Sequence, residues 1–172
     1  MTAPVREPGA VERDLRNLAL TTPPADLGLS PSAGHPNVFG VIMDTGFPES
    51  WVTLVALVDG TTSLYFGTGG GAIGAGEHES VRRETLALLS LAERYVQQLA
   101  AVDEFPLPPN GEVRFYLRTY AGARSAQAPQ ETLGAGAHAL SPLFFAAHAV
   151  ITAILEPLAK RREPQPAHDV TR

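Results

Sequence analysis

The sequence predicts an α+β fold: about five strands in a mainly antiparallel sheet with two helices on one face, in the order β-β-β-α-β-β-α. Three observations carry the prediction. Residues 38–66 and 112–127 break into short runs rich in Val, Phe, Tyr and Thr, bounded by Gly, Pro and Asp turn signals. Residues 80–100 and 141–156 instead place apolar side chains at helical spacing. Finally, Ile73-Gly74-Ala75-Gly76-Glu77-His78 and Leu133-Gly134-Ala135-Gly136-Ala137-His138 are nearly the same string, each standing between extended sequence and a helix. That recurrence predicts one ββα unit used twice.

Residues 1–36 contain Pro4, Pro8, Pro23, Pro24, Pro31 and Pro36, which remove backbone donors and disfavour helix in the residue before them. The segment reads as a mostly flexible N-terminal stretch. Within it, Val11, Leu15, Leu18 and Leu20 approach helical spacing and allow a turn or two of docked helix. A single domain is expected over residues 37–160. Its first two strands, 38–43 and 51–58, flank a turn at Gly46-Phe47-Pro48-Glu49-Ser50. Both alternating sets of the second strand are apolar, the pattern of a strand covered on both faces. Asp59-Gly60 then supplies the positive φ angles of a tight type I′ hairpin into residues 61–66.

In the helix over 80–100, Val81, Thr85, Leu88, Leu89, Ala92, Val96 and Leu99 share one side, with Arg82, Arg83, Glu93, Arg94 and Gln97 largely on the other. Pro106, Pro108, Pro109, Asn110 and Gly111 turn the chain into a strand over 112–120. There Val113, Phe115, Leu117 and Thr119 alternate with Arg114, Tyr116, Arg118 and Tyr120, which reads as one dry and one wet face. A weaker strand follows over 123–127. Ser141-Pro142 starts the last helix, because the serine can cap an orphan amide and proline has no donor to lose at the first helical position. Residues 161–172 lack an apolar pattern and read as a disordered tail.

A net charge of −5 and an aromatic content of 7% argue against a nucleic-acid partner held by bulk charge and give no support to a membrane surface. The apolar run 143–155 is shorter than the roughly 20 residues that cross a bilayer, so it reads as a buried helix. The chain has no cysteine, which excludes a disulfide framework, a thiolate metal site and a cysteine nucleophile, and agrees with a cytoplasmic location. Residues 1–16 carry Arg, Glu and Asp and lack the apolar core of a signal peptide. Twelve of the thirteen basic residues are Arg, and Ala, Gly and Pro abound; that bias is typical of a GC-rich bacterial genome.

Two features could carry chemistry. The run Gly67 to Gly76 precedes a helix N-terminus, where free amides bind anions, so Gly69, Gly70, Gly71, Gly74 and Gly76 are candidate contacts for a small anionic or phosphate-bearing ligand. It has the dinucleotide spacing at Gly69, Gly71 and Gly74, but Glu77 and Glu79 place negative charge where phosphate would sit. His78 and His138 end the two related strings and are the catalytic candidates, as a paired acid and base if the copies meet about a pseudo-twofold axis, or as loop caps if they do not. Neither shows the one-turn spacing of a helical metal site, and no metal or other cofactor is expected. Ser80 and Ser141 with Asp44 suggest a hydrolase only remotely, since no nucleophile elbow is present. Arg114, Arg118 and Arg124 with Tyr116 and Tyr120 read as a solvated sheet face.

The last helix points to a partner. Its apolar residues surround the axis almost completely, whereas a two-layer domain covers one side. Either residues 11–20 fold over it, or another molecule does. Phe145, His148, Ala149 and Thr152 are the candidate interface. The leading expectation is therefore a non-catalytic assembly or regulatory module that forms a homo-oligomer or binds a protein partner through this helix. The alternative is a small-ligand binding protein or enzyme using the glycine loop and both histidines.

Overall fold

The computed structural model describes residues 6–161. Its centre is a seven-stranded, wholly antiparallel sheet formed by β1 (Val38–Phe47), β2 (Ser50–Leu57), β3 (Thr62–Phe66), β4 (Gly71–Ala72), β5 (Ala100–Val102), β6 (Glu112–Thr119) and β7 (Gly122–Pro129). The spatial order is β4-β3-β2-β1-β6-β7-β5. The helices are α1 (Ala10–Thr21), α2 (Glu79–Ala92), the short α3 (Gln130–Gly134) and α4 (Ser141–Lys160). The expected α+β class is thus present, with two more strands than the sequence predicts. Both additions are edge strands of two or three residues, too short for alternation to register.

β1 is the hinge of the sheet, paired with β2 on one side and β6 on the other. Its first nine residues are all buried, because both its faces are covered. One face carries Val41, Met43, Leu54, Ala56, Leu64, Val113, Phe115 and Leu117, which form the main core with Val81, Leu88 and Leu89 of α2 and Leu143, Ala147, Val150 and Ile154 of α4. The other face carries Ile42, Trp51, Val55, Leu57, Tyr65 and Tyr116, closed by Leu20 of α1. The face expected to be wet is therefore dry. Tyr116 is fully buried, with its hydroxyl donating to the Pro106 carbonyl (2.6 Å).

α2 and α4 share one face, as predicted, and their length explains their direction. α2 leaves the β4 edge and, with a tighter turn over Glu93–Gln98, delivers the chain to β5 at the opposite edge. That path of about 33 Å matches a seven-strand sheet about 29 Å wide. The α-helix ends at Ala92 rather than near residue 100. There the Glu93 carboxylate is engaged by the Asn37 amide (3.0 Å), the Asn37 side chain (3.0 Å) and the Val38 amide (2.7 Å). α4 runs to Lys160, past the expected end at residue 156, with Pro157 inside it.

The repeated string does not mark a repeated unit. β2 and β6 both run antiparallel to β1, so they are parallel to each other; β3 lies outward of β2 and β7 outward of β6, in opposite directions. With α2 and α4 on the same face, the two ββα units are opposite in hand. No rotation superposes them.

Two further expectations are corrected. At Asp59-Gly60 only Gly60 takes a positive φ (90°), and its amide closes onto the Leu57 carbonyl (3.0 Å) while the Asp59 carboxylate caps the Thr61 amide (2.8 Å). The hairpin is made by a longer turn with one left-handed residue, not by type I′. The helix over residues 11–20 does form, but α1 lies under the sheet and does not shield α4. Of the tail expected over 161–172, all but Arg161 falls outside the described residues, as do residues 1–5.

Candidate functional site

The glycine run folds as a turn and an edge strand before it reaches α2. Gly67 to Gly70 reverse the chain, Gly71 and Ala72 pair with Tyr65 and Leu64 as β4, and a short turn at Ala75–Glu77 leads to α2. Gly69, Gly71 and Gly74 are therefore spread over three pieces of backbone, which removes the dinucleotide geometry. At Gly76 a Cβ would overlap the Gly60 carbonyl oxygen, so that glycine serves a close approach between two loops. The Gly70 amide already binds an anion within the chain: it donates to the Glu12 carboxylate of α1 (2.6 Å).

His78 is exposed at the N-cap of α2 and makes no side-chain cap bond. It lines a cleft of about 330 Å³ with Gly71 to Ala75, Glu77 and the C-terminal part of α4, namely Ile154, Pro157, Leu158 and Arg161. His138 lies at the other end of that helix. Its Nδ1 accepts from the Leu140 amide (3.1 Å), and its own amide donates to Ser141 Oγ (3.2 Å), which fixes the loop before α4. At 1.5 Å per residue, the helix from Ser141 to Ile154 holds the two imidazoles roughly 20 Å apart. The structure does not bring the pair together. Asp44 is buried on the opposite face from α2 and α4, so it does not join Ser80 and Ser141. Among the described residues no cluster of His, Cys, Asp or Glu has a metal-binding arrangement.

Of the arginines and tyrosines of the sheet, Arg118 and Tyr116 are buried, whereas Arg114, Arg124 and Tyr120 are hydrogen-bonded within the chain and stay partly exposed. Arg118 donates to the Ala19 (2.7 Å) and Thr22 (3.0 Å) carbonyls, capping the last turn of α1, and stacks over Phe39 at 5.0 Å. Burial lowers its pKa from the usual arginine value. Arg114 holds Gln127 (2.9 Å), Arg124 holds the Leu99 carbonyl (2.9 Å), and the Tyr120 hydroxyl donates to the Ser30 carbonyl (2.8 Å).

On α4 the candidate interface divides. Phe145 is 49% exposed and Thr152 is exposed. Ala149 and Thr152 line a shallow cleft against Ser80, Arg83 and Glu84, where α2 passes antiparallel to α4. His148 packs on Phe144 with ring centroids 4.2 Å apart; its Nε2 is buried without a partner, and burial lowers its pKa. Sequence reasoning missed the rest of the flank. Leu155 and Leu158 are 40% and 44% exposed and, with Phe66 and Ala159, line a cleft of about 400 Å³. By length and composition α4 is apolar enough to cross a bilayer; it packs one side on the sheet and α2, and with 28% of that apolar stretch buried it is not the fully buried helix expected of residues 143–155.

Sequence reasoning also missed the polar centre of the second face. Arg16 and Asp44 pair there at 2.6 Å, with side chains 3% and 0% exposed. The signal was an aspartate in an otherwise apolar strand, since a buried carboxylate needs a partner. No family model, curated protein or solved structure matches this chain.

Proposed function

We propose that the protein is a non-catalytic assembly or regulatory module of the bacterial cytoplasm that self-associates or binds a protein partner through the outer flank of α4. The observation that carries the reading is the apolar surface left on that flank: Leu155 and Leu158 are exposed side by side along the Phe66 cleft, and Phe145 is half exposed nearer the start of the helix. Exposed apolar groups that adjoin one another favour association, whereas isolated ones are ordinary. Light scattering on the full chain at micromolar concentration tests it. A dimer or larger assembly that Phe145→Glu or Leu158→Glu dissociates is the expected result; a monomer whose behaviour toward other proteins those variants leave unchanged ends the proposal.

The alternative, a small anionic ligand, keeps one supporting observation. His78 and Arg161 share the 330 Å³ cleft with the loop around Gly74. It no longer draws on His138, nor on the Gly70 amide. Calorimetric titration with inorganic phosphate, repeated on His78→Gln, tests it.

A further inference from the structure

α1 lies on the sheet through a single stripe. Glu12, Arg16 and Leu20 follow one another at one-turn spacing, with Leu15 and Ala19 partly buried beside them. Each of the three has its own receptor. Glu12 takes the Gly70 amide, Arg16 takes Asp44 and the Phe105 carbonyl (3.0 Å), and Leu20 enters the apolar face. The floor is built for such a stripe: Ile42, Val55 and Tyr116 are apolar, and Asp44 lies among them with only Thr53 and Arg16 as side-chain partners. An aliphatic side chain satisfies part of that floor and a guanidinium the rest.

The connection to β1 is much longer than this docking requires. Thr22 to Asn37 is a stretch of 16 residues, and none of them is buried. Its ends are held by adjacent residues of β6, since Arg118 binds the Thr22 carbonyl and Val38 pairs with Thr119. Adjacent residues lie about 3.8 Å apart, whereas such a tether reaches roughly 50 Å when extended. α1 can thus leave the floor while the main core, on the other face of the sheet, stays intact.

We propose that the sheet face beneath α1 is a receptor groove for an amphipathic helix of a partner protein, one carrying an acidic, an arginine and an aliphatic residue at successive one-turn positions. α1 is its resident intramolecular occupant. This surface is distinct from the α4 flank, so the two proposals stand or fall separately. The resident is short: it has 12 residues, no side-chain cap at Gly9 and no basic residue of its own in its last turn, whose carbonyls are held by Arg118. Isolated helices shorter than about 12–15 residues are marginal in water, so α1 depends on the floor for its own order. A longer, capped partner helix competes against a tethered effective concentration on the order of millimolar.

The test uses a fluorescein-labelled peptide with the sequence of residues 6–22 and the full chain carrying Arg16→Ala, which weakens the resident. Saturable one-to-one binding by anisotropy is expected, at least about tenfold tighter than to the wild-type chain and at least about tenfold tighter than to Arg16→Ala/Asp44→Asn. Absence of binding by a folded Arg16→Ala chain overturns the proposal, as does equal binding of a scrambled peptide. A dimer formed by exchange of α1 between chains overturns it too, because a second copy would then be the occupant. Should Arg16→Ala not fold, hydrogen exchange on the wild-type chain decides. α1 amides that exchange well before those of β1 and β2 support release, and equal protection excludes it.

Discussion

Asp44, in the middle of the central strand, is neutralised by Arg16, a residue 28 positions earlier that reaches it from a helix on the far side of a surface tether. The guanidinium donates to both carboxylate oxygens, at 3.1 and 3.0 Å from Nε and 2.6 Å from Nη2, and the Thr53 hydroxyl adds a third donor. Burial raises the Asp44 pKa above the ordinary carboxylate value, against the opposing pull of Arg16 and Thr53. Arg16→Ala removes most of that pull and leaves a carboxylate with no counter-charge. Breaking a buried pair in this way costs about 3–5 kcal/mol.

The same pair sets a pH dependence. A carboxylate whose folded pKa is raised contributes stability that is fully present below its unfolded pKa and is lost as pH rises through the folded pKa. In Arg16→Ala the folded pKa moves up further, so the deficit against wild type is larger at a mildly alkaline pH than at a mildly acidic one. Urea denaturation at both pH values measures it. Replacing both residues by leucine is expected to recover most of the loss, because it removes the buried charge together with its partner.

His148 works in the opposite sense. Burial against Phe144 lowers its pKa, so the stability it contributes is present above its unfolded pKa and is lost as pH falls below that value. His148→Leu removes the titrating group and the orphaned Nε2. Its urea midpoint is expected to change less than that of wild type between about pH 7.5 and about pH 5.5.

Adjacent phenylalanines on α4 separate packing from surface. Phe144 is 6% exposed within the main core, and Phe144→Ala is expected to cost about 3–5 kcal/mol. Phe145 is half exposed, and Phe145→Glu should alter stability by no more than about 0.5 kcal/mol while changing association. Thermal melts and light scattering on the same samples report the two effects.

Two glycines of the repeated string are expected to rank in a fixed order. Gly74 has a positive φ of 70° with open space around it, so Gly74→Ala carries only the left-handed backbone penalty of about 1–2 kcal/mol. Gly76→Ala forces a Cβ into the Gly60 carbonyl and must move one of two loops, at about 3 kcal/mol or more. Equal melting temperatures for the two variants would contradict that order.

The strands that form the middle of the sheet, and both helices of its main face, were legible because period-two and period-3.6 patterns persist through residues 38–66, 80–92, 112–127 and 141–156. Hand was not legible. Ile73–His78 and Leu133–His138 are alike as strings, and a string carries no information on which side of its strand the next one pairs. Nor was the burial of Tyr116 and Arg118, since their alternation with Val113 and Phe115 reads as a wet face until α1 is placed beneath it. Of the candidate site residues on α4, Phe145 and Thr152 are exposed, while His148 and Ala149 are half-buried. Leu155 and Leu158 were overlooked because their exposure depends on where α4 lies over the sheet, a tertiary property.

The place of β1 also shapes how the chain is made. One edge of this strand is satisfied as soon as β2 emerges a few residues later, but its other edge waits for β6, whose first residue is Glu112. At about 5–20 residues per second, a nascent chain carries that unmated edge for on the order of 3–13 s. Until the ribosome supplies β6, a row of bare amides and carbonyls flanked by valine, isoleucine and methionine is open to any passing strand.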